Sequence, residues 1–117
     1  MENIKIQVGS YYYATGESYE NLRDVEFVGE KLASVSLYSD EHGSRGTKYT
    51  LYKDEKGRYL IHEHNWSQWK DEPSHLYLFE VDLDDLNVDG EYEFLGRKAG
   101  LQRPLTLDEY LERNRLQ

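Results

Sequence analysis

The densest run of chemistry-bearing side chains lies between residues 71 and 93. Asp71, Glu72, Glu80, Asp82, Asp84, Asp85, Asp89, Glu91 and Glu93 fall there, and no Lys or Arg occurs between Lys70 and Arg97. Nine carboxylates with no cation among them create a strong local field. Such a field can dock on a basic protein surface by presenting carboxylates where nucleic-acid phosphates would otherwise lie. The competing reading is that these charges only solvate two strands and the turn between them. A basic segment follows, with Arg97, Lys98, Arg103, Arg113 and Arg115. It can bind phosphate, pair with the acidic block of its own chain, or join two copies as a homodimer.

Two smaller constellations could hold a metal. Asp85-Leu86-Asn87-Val88-Asp89-Gly90 reads D-x-N-x-D-G. It resembles the first half of a calcium loop of the EF-hand type, in which oxygen ligands at alternate positions wrap a hard cation and a Gly permits the sharp turn. The resemblance covers six residues and breaks at the twelfth position, where Gly96 stands in place of an acidic ligand. Without a metal, Asp89-Gly90 is a turn signal. In His62-Glu63-His64 the two imidazoles point the same way on a strand. They could share a metal with a third ligand, or serve as acid and base in a metal-free hydrolase or nuclease. As structure, they are partly buried strand histidines beside Tyr49 and Trp66.

Aromatic residues make up 14% of the chain, with 11 Tyr. Most suit core and sheet packing. Trp66 and Trp69, the two tryptophans, stand in a polar segment and are the preferred exposed anchors of an interface. Stacking on single-stranded nucleic acid requires a basic groove, and the net charge of -9 argues against one.

The elements that must position these groups read mainly as strands. Ile4, Ile6 and Val8 alternate with polar residues, which predicts a half-buried strand. Residues 14–24 read as a loop with one helical turn, and residues 32–39 as a strand. TKYTLYK and RYLIHEH flank Asp54-Glu55-Lys56-Gly57 and predict a hairpin. Setting Lys53 across from Arg58 places Leu51 opposite Leu60 and Tyr49 opposite His62. Thr50, Tyr52, Tyr59 and Ile61 then occupy the other face, and a slip of one residue exchanges the faces. Residues 75–82 form another strand, with Leu76 and Leu78 on one side and Tyr77, Phe79 and Val81 on the other. EYEFLG reads as a further strand. Thr106 and Glu109 form a capping box for a C-terminal helix. Its stripe is Leu107, Tyr110, Leu111 and Leu116, with acids in the first turn and Arg113 and Arg115 near the end.

A length of 117 residues suits one domain, residues 1–117, large enough to fold without disulfide or metal. The absence of cysteine removes thiol nucleophiles and Cys zinc sites. The N-terminus has no basic run and apolar core, and no apolar stretch reaches the roughly 20 residues of a span. Phosphate-loop, dinucleotide, nucleophile-elbow and H-E-x-x-H motifs are absent.

The expectation is an α+β fold: an antiparallel sheet of about five to six strands with the C-terminal amphipathic helix packed on it. The expected function is a non-enzymatic protein-binding module of inhibitor, immunity or antitoxin type. It would dock on a basic partner through Asp82, Asp84, Asp85, Asp89 and Glu91 with Trp66 and Trp69. No cofactor, nucleic acid or membrane is implied, and the expected compartment is the cytoplasm. The alternatives are a hydrolase or nuclease using His62 and His64, or calcium held by Asp85, Asn87 and Asp89.

Overall fold

Two strands run far longer than their polar sequences suggest. β1 (Glu2–Ala14) and β2 (Glu17–Tyr38) pair antiparallel without a break from Glu2↔Gly29 to Ala14↔Glu17. Within the segment expected as a loop with a helical turn, residues 17–24 are therefore strand. Its pairs, such as Tyr12↔Tyr19 with stacked rings 5.3 Å apart, are cross-strand contacts that helical spacing would not make. The computed structural model describes residues 1–14, 17–39, 41–69, 72–102 and 104–115. Asp71 of the acidic block, Arg103 of the basic segment and Leu116 of the helical stripe lie outside the described residues.

β3 (Arg45–Asp54), β4 (Tyr59–Ser67) and β5 (Ser74–Val81) continue the meander, each antiparallel to the strand before it. β5 returns to β1 through Gly9↔Leu76, Ser10↔His75 and Tyr11↔Ser74, which closes a five-stranded barrel. The expected open sheet with a packed helix is thus replaced by a closed antiparallel barrel carrying short helices. Closure begins at Gly9, the first of three residues at which β1 holds both neighbours. Its φ is +126°, and a Cβ there would lie 2.0 Å from the Asn21 carbonyl oxygen, so only glycine fits. N-terminal to that point β1 pairs with β2 alone. A register shift between Lys31 and Ala33 marks a bulge where β2 passes from β1 to β3.

The β3–β4 hairpin takes the register one residue away from the expected one. Lys53 faces Tyr59, so Leu51 pairs with Ile61, Tyr49 with Glu63, Thr50 with His62 and Lys48 with His64. Asp54 sets this register. Its carboxylate accepts from the backbone N–H groups of Lys56 (3.0 Å) and Arg58 (2.8 Å) and from Arg58 Nε (2.6 Å), and its side chain is 2% exposed. These bonds draw residues 54–58 into the turn and add one residue to the expected four-residue loop.

That slip exchanges the faces. Leu51, Ile61, Ala33 and Val81 form one buried cluster with Leu86 and Leu95. Leu86 belongs to a short 3-10 helix, Leu83–Leu86, and Leu95 to α1 (Glu93–Lys98). EYEFLG is therefore largely helix rather than strand. Tyr92 and Phe94 lay their rings against Tyr49 at 6.1 and 5.2 Å. A Cβ on Gly96 would meet the Leu86 carbonyl oxygen at 1.8 Å, so glycine there allows α1 to seat on the 3-10 helix. The main apolar core thus lies between β2–β5 and this helical cover, and the opposite face of β3–β5 turns toward β1.

α2 (Leu107–Arg113) has the expected capping box: Thr106 Oγ1 accepts from Glu109 N at 3.1 Å and Glu109 Oε1 accepts from Thr106 N at 3.5 Å. It does not pack on the sheet, and it contains no buried residue. Among the described residues no helix is long and apolar enough to cross a membrane.

Candidate functional site

The acidic block folds into two kinds of carboxylate. Asp85 and Asp89 are engaged internally: Asp85 Oδ2 accepts from Asp82 N at 3.1 Å, and Asp89 is held by both terminal nitrogens of Arg113 at 2.6 and 2.8 Å. The Arg113 hydrogen bonds, reinforced by its charge, keep Asp89 below the ordinary carboxylate value, and the same pair raises Arg113. Glu93 pairs with Arg97 at 2.8 Å. Asp82, Asp84 and Glu91 are exposed, and among the described residues no cation pairs with them. Of the basic segment, Arg97 and Arg113 thus answer the acidic block within the same chain.

In this geometry the residues of the expected calcium loop have partners within the chain. Asp85 serves the 3-10 helix, Asn87 donates to the Leu83 carbonyl at 3.1 Å, and Asp89 is taken by Arg113. Asp89 adopts φ 68°, the left-handed conformation of the plain turn. Among the described residues no three His, Asp or Glu side chains gather into a metal cluster.

α2 faces the acidic turn with its polar side. Glu109, Glu112 and Arg113 line a depression of about 510 Å³ with Asp84, Asn87 and Val88. The opposite side of the helix carries Leu107, Tyr110 and Leu111, which are 70%, 54% and 56% exposed. The helix is therefore inverted relative to an ordinary amphipathic helix, whose apolar stripe faces the core.

Trp66 and Trp69 stand at the other end of β4 and β5. Asp82 follows Val81, which pairs with Tyr59, whereas Trp66 pairs with Gly46 near the Arg45↔Ser67 end. At a rise of about 3.3 Å per residue the two ends are roughly 23 Å apart. Trp66 is partly buried and meets Tyr38 edge-on at 5.9 Å. Trp69 is 54% exposed and donates from Nε1 to Ser44 Oγ at 3.1 Å. The seven residues expected to act together therefore form two separate groups.

His62 and His64 lie on the face of β4 turned toward β1, inside a cavity of about 590 Å³. Lys5, Ile6 and Gln7 of β1, Asp24 of β2, Lys48, Thr50 and Tyr52 of β3 and Leu76 of β5 complete its lining. His62 Nε2 lies 2.7 Å from the Gln7 carbonyl oxygen, to which it donates, and His64 Nε2 lies 3.0 Å from Tyr11 Oη. Burial, then the neighbouring His62 and Lys48, holds His64 below its ordinary value. These partners are a backbone carbonyl and a phenol, not a carboxylate of the kind that orients a catalytic imidazole. The arrangement brings two imidazoles, the Thr50 hydroxyl and the Lys48 ammonium to one opening. The sequence reading named the two histidines but missed Lys48, Thr50 and Tyr52. Their alternate spacing places them on one face, yet only the true register puts that face beside the histidines.

No protein-family model, curated protein or solved structure matches the chain.

Proposed function

We propose that this chain is a protein-binding module that receives a basic, amphipathic segment of another protein on α2 and the adjacent acidic turn. The single observation that carries this reading is the inversion of α2. Leu107, Tyr110 and Leu111 are exposed, while Arg113 ties the other side of the helix to Asp89 of the acidic turn. Leaving such a stripe in water forfeits the burial that ordinarily stabilises a helix of this length. A partner covering it would recover that free energy.

Charge selects the partner. Asp108 is exposed on α2, and Asp82 and Asp84 are exposed on the adjacent acidic turn, with Leu83 at 45% exposure between them. Apolar groups on a helix beside a carboxylate-bearing turn suit a segment that alternates Leu-like and Lys-like residues. A protein that covers a cationic surface in this way acts as an inhibitor of whatever that surface normally binds.

The test is fluorescence titration with a labelled Leu/Lys peptide of helical periodicity, against a peptide of the same composition in scrambled order. The periodic peptide should bind preferentially, and binding should weaken as salt rises. Replacing Leu107 and Leu111 together by Ser should lower affinity at least ~10-fold. Equal binding of the two peptides, or no effect of the double substitution, would overturn the reading. Sedimentation of the free chain distinguishes the remaining occupant, a second copy, by a dimer that the same substitutions abolish.

A further inference from the structure

We infer that the cavity between β1 and the β3–β5 sheet is a binding site for a small organic oxyanion, whose phosphate or carboxylate group is held by Lys48 with His62 and His64. Its volume, about 590 Å³, falls within the roughly 300–1,000 Å³ of small-molecule sites. Lys48 stands directly across from His64 and Thr50 directly across from His62. Antiparallel partners of this kind have Cβ atoms about 4.5–5.5 Å apart, so the four side chains converge within reach of one oxyanion. Ile6, Leu76 and the ring of Tyr52 supply apolar wall for the remainder of the ligand.

The electrostatics favour an anion. The chain carries a net charge of -9, yet the charged lining of this cavity is Lys5 and Lys48 against Asp24. Asp24 lies 3.5 Å from Lys5. Among the described residues no carboxylate pairs with Lys48, which is exposed at the mouth of the cavity and whose charge bears on His64. A bound oxyanion accepts a charge-assisted hydrogen bond from Lys48, and its negative charge favours protonation of the two rings, whose Nδ1–H groups then donate to it. The site lies on the face of the sheet opposite the helical cover, so it stands or falls independently of the α2 surface.

The experiment follows the ring protons of His62 and His64 by NMR while the intact chain is titrated with phenyl phosphate, benzoate and benzyl alcohol at constant ionic strength. Saturable shifts with at least one of the two anions, and none with the neutral alcohol, are expected. Whichever anion binds more tightly identifies the phosphate or carboxylate class. Lys48→Gln should weaken binding at least ~10-fold, while Lys48→Arg, which keeps the charge, should stay within a few-fold of the parent. Shifts that grow without saturation, equal response to benzyl alcohol, or unchanged affinity in Lys48→Gln would overturn the assignment.

Discussion

At the scale of single residues, Asp54 and His64 show how a fold spends its polar side chains. Burial by itself would raise the Asp54 carboxyl. The backbone and side-chain hydrogen bonds from Arg58 and the one from Lys56 outweigh burial and leave it lowered. The residue that fixes the hairpin register is thus held ionised by the turn it organises. His64 is the opposite case. Burial chiefly, then the positive charges of His62 and Lys48, disfavour its protonated form. The unfolded chain takes up this proton near the ordinary histidine value of 6.5, and the folded chain only at lower pH. The unfolded state therefore binds more protons in that interval. The stability attributable to His64 is full above 6.5 and declines as pH falls through the depressed folded value. His64→Gln, which can still hydrogen-bond Tyr11, should flatten the pH dependence of unfolding free energy in this window. Denaturant unfolding from pH 7.5 downward tests this, and identical slopes for the two proteins would refute it.

At the scale of elements, two leucines of similar sequence environment have opposite fates. Leu51, on β3, is 0% exposed and sits at the centre of the cluster under the 3-10 helix and α1. Leu111, on α2, is 56% exposed and belongs to the outward stripe. Leu51→Ala should cost about 2–5 kcal/mol through lost burial and the cavity left behind. Leu111→Ala should change stability by less than ~0.5 kcal/mol, as surface substitutions do. Chemical denaturation of both variants decides the matter, because an α2 packed on the sheet would make the second substitution costly as well. The capping box of α2 was legible in the sequence because it depends on residues three positions apart. The face that α2 turns inward was not legible. That face is decided by Arg113 reaching Asp89, 24 positions away.

At the scale of the whole molecule, the barrel is closed by very little. Residues 9–11 and 74–76 supply the β1–β5 pairs, whereas β1–β2 pairing runs the length of β1. The long hairpin makes the molecule extended, 61 × 37 × 17 Å, with a radius of gyration of 17.7 Å against the roughly 13 Å of a compact chain of this length. Few pairs at the seam imply that it opens before the β3–β4 hairpin does. In native-state hydrogen exchange, the protected amides of residues 9–11 and 74–76 should exchange faster than those of Leu51 and Ile61. Equal protection would mean that the seam opens only with global unfolding.

Local sequence determined the alternating start of β1, the end of β2, the existence of the β3–β4 hairpin, β5, the cap of α2 and the candidacy of His62 and His64. Each depends on spacing within a few residues, where backbone geometry fixes which side chains meet. Tertiary structure decided the rest. A period-two pattern is equally satisfied by two registers, and Asp54 selected between them by gathering three donors. EYEFLG became largely helix because Leu95 and Gly96 find Leu86 there, a gain that strand propensity does not anticipate. The acidic block was visible as composition, but which carboxylates remain unpaired depended on arginines from elsewhere in the fold. The cavity existed in no local pattern at all, because its walls come from all five strands and meet only when the barrel closes.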